Sequence, residues 1–283
     1  MDFLRWRVGE VTVTRVVELT STTIGGHILP QAPRDLVQSL PWLKPFTDDN
    51  RLLMSFHSLV IQRGDETIVV DTCIGNDKER SYPRWNRMQS GFLTDFGAAG
   101  FELDAVGAVL CTHMHVDHVG WSTRLVEGRW QPTFRTARYL FAEEELAHWR
   151  EHDQGEMYGP VMADYVQPVF DAGLADLVAT DNQVSAEVRL EPTPGHTPGH
   201  VSVHIASRGE EAVITGDLMH HPCQAAHPDW SSTADVDAAL AARTRRAFLE
   251  RYADRPVLVI GTHFAGPTAG RIVRDGDAYR LDC

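Results

Sequence analysis

The chain has 283 residues, 43% hydrophobic and 23% charged, an ordinary globular balance with length enough for a sizeable core. Its formal net charge of -13 speaks against nucleic acid as a main partner, because phosphate binding needs clustered Lys and Arg. No run of about 18 apolar residues is present, so no membrane span is expected.

The opening MDFLRWRVGEVTVTRVV has no uninterrupted apolar run of the signal-peptide kind. The four cysteines, Cys73, Cys111, Cys223 and Cys283, are widely spaced and form no CxxC. Reduced thiols and a cytoplasmic location are therefore expected. No linker-like or repeated segment breaks the chain, which reads as one domain over 1–283. Residues 10–19 are rich in β-branched side chains and predict a strand. The irregular stretch 20–56 holds a helix over 34–40. It reads either as a lid or dimerisation arm or as an ordinary surface wrap. Residues 58–72 predict a hairpin turning at Arg63-Gly64-Asp65. The apolar run 105–113 predicts a buried strand. Residues 137–149 begin extended and become helical after Phe141. Within 188–207 two strands flank a loop stiffened by Pro192, Pro194 and Pro198. Residues 211–218 predict another buried strand. The clearest helix is 232–254, with Val236, Leu240, Ala247 and Phe248 at roughly helical spacing. A last buried strand covers 256–263, and 264–283 reads as a strand hairpin. The class is α/β with a sheet core, and periodicity leaves its topology open.

The segment LCTHMHVDHVGW, residues 110–121, crowds His113, His115, Asp117 and His118 behind a buried strand. Burying four such groups without a partner would be costly, which points to a metal. Side chains two apart in extended chain point the same way, so His113 and His115 can reach one ion. Asp117 and His118 follow, where the chain turns, and can hold a second. His196 lies in the proline-stiffened loop, Asp217 ends the strand AVITGD, and His263 ends VLVIGTH. Ligand-type residues thus sit at the carboxyl ends of strands, where α/β proteins gather their sites. Imidazole and carboxylate suit zinc, and manganese, cobalt or iron also accept N/O ligands.

HMHVDH matches the HxHxDH signature of the metallo-β-lactamase superfamily. TPGHTPGH, ITGD and GTH follow in the order of that family. TIVVDTCIG resembles its strand ending in Asp-Thr-Gly, with Cys73 where glycine is usual. The resemblance spans about 55–265 and implies an αββα four-layer sandwich with two Zn2+. It implies that His113, His115 and His196 hold one ion. Asp117, His118 and His263 would hold the other, with Asp217 bridging. Asp71 resembles an aspartate that orients a ligand histidine, and reads otherwise as a turn aspartate at the end of its strand.

Two close zinc ions make hydroxide available at neutral pH, so the expected chemistry is hydrolytic. The β-lactam-cleaving members lack the bridging aspartate. HMH rather than His-x-Glu departs from the diiron flavoprotein branch. The short tail after His263 departs from the glutathione thioesterases. The C-terminal third is similar to the N-acyl homoserine lactonase and methyl parathion hydrolase branch. A hydrolase of small esters or lactones is expected, with phosphotriester, thioester or β-lactam hydrolysis, or a catalytically silent metal-binding protein, as alternatives. Asp117 and His220 are the residues expected to act in catalysis. His220 stands where lactonases of this group carry a tyrosine that contacts the substrate carbonyl. It reads either as a hydrogen-bond and proton donor or as a loop histidine facing solvent. His221 reads as structural. A small-molecule pocket lined by aromatic and sulfur side chains is expected from Trp42, Phe46, Met54, Phe56, Trp85, Met88, Trp121 and Phe264, with Trp121 and Phe264 foremost. The branch and the 20–56 arm suggest a homodimer.

Overall fold

A computed structural model of the chain describes residues 3–22, 25–33, 35–152 and 160–283. The α/β class expected from the sequence is the one found. The chain divides into two compact units. One runs up to Leu19 and takes in Phe56–Ala179; the other comprises Thr20–Ser55 and Thr180–Cys283.

The first unit is built on a seven-stranded sheet. Its strands, in spatial and chain order, are β1 (Arg5–Val8), β2 (Val11–Ser21), β3 (Met54–Arg63), β4 (Glu66–Val70), β5 (Ala108–Leu110), β6 (Arg138–Ala142) and β7 (Ala175–Val178). The hairpin β3–β4 closes on the pair Arg63↔Glu66. From β4 onward the strands run parallel, with Val70 beside Leu110, Leu110 beside Leu140, and Tyr139 beside Ala175. Parallel strands covered on both faces read as continuous apolar runs, which is why ETIVV and RYLFA are buried beyond their first residues. The strand expected over 105–113 is shorter. Residues Leu103–Ala105 form a 3-10 turn instead, and the chain leaves the sheet after Leu110.

The second unit carries a six-stranded sheet of β8 (Val188–Pro192), β9 (Val201–Ser207), β10 (Glu210–Ile214), β11 (Val257–Ile260), β12 (Ala269–Asp275) and β13 (Ala278–Asp282). Only β10 and β11 pair in parallel, so the chain must cross over between them. The crossover is the helix Ala238–Tyr252. Its Phe248, Leu249 and Tyr252 are buried with Val213, Val257, Val259, Ile272 and Leu281. The terminal hairpin β12–β13 lies where the sequence placed it.

The helix expected over 232–254 starts later, at Ala238. Asp237 caps it by accepting from the Leu240 amide at 2.9 Å. Val236, expected on its apolar face, lies outside the helix and is 48% exposed. The cause is tertiary. The Val236 and Asp237 amides donate to the carbonyls of His196 and Gly195 at 2.9 and 3.0 Å. The helix expected over 34–40 is found as Leu36–Ser39, and position 34 lies outside the described residues, as do 23 and 24 of the 20–56 arm. No described helix is long and apolar enough to cross a membrane.

Candidate metal centre

In the first unit the ligand loop hangs from the ends of β4 and β5. Asp71 follows β4, and its amide donates to Leu110 O at 2.9 Å. Its carboxylate is fully directed. Oδ1 accepts from the Thr112 amide, and Oδ2 accepts from the Thr112 hydroxyl and from His118 Nδ1, each at 2.8 Å. Thr112 Oγ1 also lies 3.1 Å from His113 Nδ1. That hydroxyl has one proton and gives it to Asp71, so His113 Nδ1 must be the donor. Both imidazoles are thereby set in the tautomer that turns a bare Nε2 away from the support. His113 Nε2 lies 3.0 Å from His115 Nδ1, and His118 Nε2 lies 3.8 Å from Asp117 Oδ2. Two nitrogens sharing one tetrahedral zinc would stand about 3.3 Å apart, given bonds of about 2.0–2.1 Å. The donors present fit that chemistry.

Two further carboxylates hold this loop in place, and neither was found from the sequence. Buried Glu145, on the helix Glu143–Glu151, accepts from the Met114 amide at 2.8 Å and from Trp149 Nε1 at 2.6 Å. Glu18, on β2, accepts from the amides of Ile74 and Gly75, from Ser90 Oγ and from Trp121 Nε1, at 2.7 to 3.2 Å. Burial pushes the Glu18 carboxyl above its ordinary range, against the pull of these donors. Glu18 thus ties the loop after Asp71 to the loop after His118. Between them Gly120 passes so close to Ile74 that an added Cβ would lie 2.0 Å from its carbonyl carbon. Cys73 takes a φ of 51°, the left-handed region, which explains why the related motif carries glycine there.

In the second unit the same logic recurs. His196 Nδ1 donates to Asp235 Oδ1 at 2.8 Å, and His263 Nδ1 donates to the Ser55 carbonyl at 3.1 Å. Asp217 lies between them: its Oδ2 is 3.5 Å from His196 Nε2, and its Oδ1 is 3.2 Å from His263 Nε2. Its backbone is fixed by His200, whose Nε2 accepts from the Asp217 amide at 2.8 Å while Nδ1 faces Thr193. Gly216 makes this contact feasible, since a Cβ there would lie 2.5 Å from His200 Nε2.

His220 is buried at 2% exposure, which removes the solvent-facing alternative. Its Nε2 is 3.2 Å from Asp217 Oδ2, and its Nδ1 has no hydrogen-bond partner. His113, His118, His196 and His263 each engage their second nitrogen, as metal-bound histidines do. His220 does not. A bare buried nitrogen is less costly than an unpaired N–H, so the proton belongs on Nε2, donated to Asp217. His221 is structural: its Nε2 donates to Phe46 O, and its Nδ1 accepts from the Cys223 amide.

The sequence matches the metallo-beta-lactamase superfamily over residues 57–263, a span that contains both ligand sets. The chain belongs to the metallo-beta-lactamase superfamily. Solved structures agree with that fold. AidC, a dizinc quorum-quenching lactonase in complex with a product, is 20% identical, with a TM-score of 0.78, covering 99% of this chain and 96% of its own. The hydrolase AbOPH of the beta lactamase superfamily is 19% identical, with a TM-score of 0.80 and coverage of 99% and 97%. A probable metal-dependent hydrolase from Staphylococcus aureus is 19% identical, with a TM-score of 0.74 and coverage of 98% of each chain. No curated protein matches by sequence.

Within this superfamily fold the residues named for a pocket are mostly packed. Trp121 stacks on Phe92 at 5.7 Å while its indole binds Glu18. Phe264 and Phe46 meet edge to face at 6.4 Å, and Met54 is bridged to Phe264. Phe56 and Trp85 likewise pair within the first unit. Trp42 is half-buried, with an indole N–H that has no hydrogen-bond partner. Met88 is half-buried beside the Asp77 turn.

Proposed function

We propose that the two ligand sets combine into one dinuclear centre and that the protein hydrolyses small esters or lactones. Superfamily membership carries the coarse reading, a metal-dependent hydrolase. The observation that supports two ions is Asp217, which turns its two oxygens toward different histidines, as a bridging carboxylate must. In this proposal His113, His115 and His196 hold one ion, and Asp117, His118 and His263 the other. Bound there, two divalent ions, zinc by donor type, would supply Lewis acidity and acidified water.

The chain's own groups do the rest. Asp71 and Asp235 fix the imidazoles of His118 and His196 and raise their basicity. His220 Nε2–H, now turned to Asp217, is the hydrogen-bond donor to the carbonyl under attack, and it serves as proton donor for the leaving oxygen only once its bare Nδ1 has taken up a second proton. Asp117 has the more open carboxylate of the set, its side chain 14% exposed against 4% for Asp217, and can pass a proton outward. Trp42, Phe46, Met54, Trp121 and Phe264 are proposed to shape the substrate pocket from behind or at its rim.

A lactone substrate is favoured because a dizinc lactonase shares the fold along nearly the whole chain. The test is metal analysis of purified protein followed by a panel of acyl lactones, aryl esters, thioesters, β-lactams and aryl phosphotriesters. About two ions per chain with lactone or ester turnover is expected. Turnover of phosphotriesters alone would replace the substrate class, and silence across the panel with both ions bound would end the enzyme reading. The single domain over 1–283, a homodimer and a cytoplasmic location belong to the same proposal. A monomer mass by size exclusion would remove the dimer.

A further inference from the structure

Arg245 is the largest fully buried side chain in the protein's described residues. It sits on the helix Ala238–Tyr252 and reaches three carbonyls: Nε donates to Leu218 O at 2.7 Å, and Nη1 donates to Pro228 O and Trp230 O at 2.7 and 2.8 Å. Three neutral carbonyls do not neutralise a buried cation, and burial pushes this guanidinium below its ordinary range. The remaining Nη2 has no hydrogen-bond partner. It faces Asp235 Oδ2 at 3.9 Å. Asp235 gives its other oxygen to His196 Nδ1 and accepts the Ser232 amide on Oδ2.

The same helix grips the backbone of the His196 loop. Thr244 Oγ1 donates to Pro194 O at 2.7 Å, and the amides just before the helix hold Gly195 and His196. Leu218, whose carbonyl Arg245 holds, is next to Asp217. An apolar side chain of similar volume would pack this space with no charge to desolvate. Packing alone therefore does not account for a charge buried here with its Nη2 turned to Asp235.

We infer that Arg245 is a positioning residue of the metal centre, setting His196 through Asp235 and Asp217 through the Leu218 carbonyl. This rests on the reading of His196 and Asp217 as ligands. Without the guanidinium, Asp235 would face a neutral wall and its grip on the His196 imidazole would loosen.

The experiment uses full-length Arg245→Met, Arg245→Lys, Asp235→Asn and the Arg245/Asp235 double variants. Zinc affinities are read by competition with a chromophoric chelator, the visible spectrum of cobalt-loaded protein reports ligand geometry, and circular dichroism reports folding. A wild-type chain holding no ion would overturn the site itself, and this is seen before any variant is made. With two ions in the wild type, Arg245→Met and Asp235→Asn should each weaken one ion about ten- to a hundredfold and shift the cobalt bands. The double variant should lose little more than the worse single, and Arg245→Lys should lose less than Arg245→Met. Wild-type affinities in Arg245→Met, or a double variant showing the full product of the single losses, would overturn the proposal. Should Arg245→Met fail to fold, Arg245→Lys decides. Its loss should shrink in Asp235→Asn to the part that runs through the Leu218 carbonyl, and equal losses or no loss in both backgrounds would overturn it.

Discussion

Asp217 directs one oxygen at His263 and the other at His196 and His220. Asp217→Asn keeps its size while removing the charge and one good metal-binding oxygen. One ion should be lost first, and kcat/KM should fall at least about a hundredfold with the fold retained. Normal stoichiometry and turnover in this variant would overturn Asp217 as the bridge. His220→Ala should behave differently, because its Nδ1 lacks the support seen behind the ligand histidines. Both ions should stay, while kcat drops by about a hundredfold, the scale of a lost hydrogen-bond donor to the oxygen that gains charge. Loss of an ion in His220→Ala would make it a ligand after all.

At the scale of elements, two glycines in this chain should respond oppositely to the same substitution. Gly195 turns the His196 loop at a φ of +133°, and a Cβ there would lie 2.3 Å from the Ala241 amide in the first turns of the crossover helix. Gly195→Ala must strain the loop or lift the helix. It should lower unfolding free energy by more than about 2 kcal/mol, read from urea midpoints. Gly97, inside the helix Phe92–Ala98, meets nothing within 4 Å and has no positive φ. Gly97→Ala should raise stability by about 0.5–1 kcal/mol through helix propensity.

For the whole molecule, acid sensitivity should follow buried His221, whose imidazole is pushed down to about 4 by burial, against the hydrogen bond to Phe46 O. The unfolded chain takes up this proton near pH 6.5, and the folded chain only near pH 4. The unfolded state thus binds more protons in that window, and stability must drop as pH falls through it, by about 3 kcal/mol at most. His221→Gln can keep both hydrogen bonds without titrating, so its stability should vary less between pH 6.5 and 4 in chemical denaturation. An unchanged slope would shift the acid response to other groups. Chelation should also lower the melting temperature, because ions bound only by the folded chain stabilise it by mass action. A melt indifferent to chelator would contradict bound metal.

Sequence alone determined which side chains offer metal donors and in what order, because ligation demands particular chemistry in short motifs such as HMHVDH. Local propensity also placed the strands that end before those motifs, from TIVVD to VLVIGTH. Tertiary structure decided what holds the donors. Asp235 meets His196 across 39 positions, Glu18 meets Trp121 across 103, and Thr112 turns from a plain strand-end residue into the link between Asp71 and His113. None of these carries a local signature, since a carboxylate reads the same whether it faces water or the back of an imidazole. The late start of the crossover helix has the same origin: helical propensity over 232–237 gave way to amides engaged by the His196 loop. Hydrogen-bond partners far apart in the chain are set only once the sheets bring them within 3 Å, and there the local pattern ceases to decide.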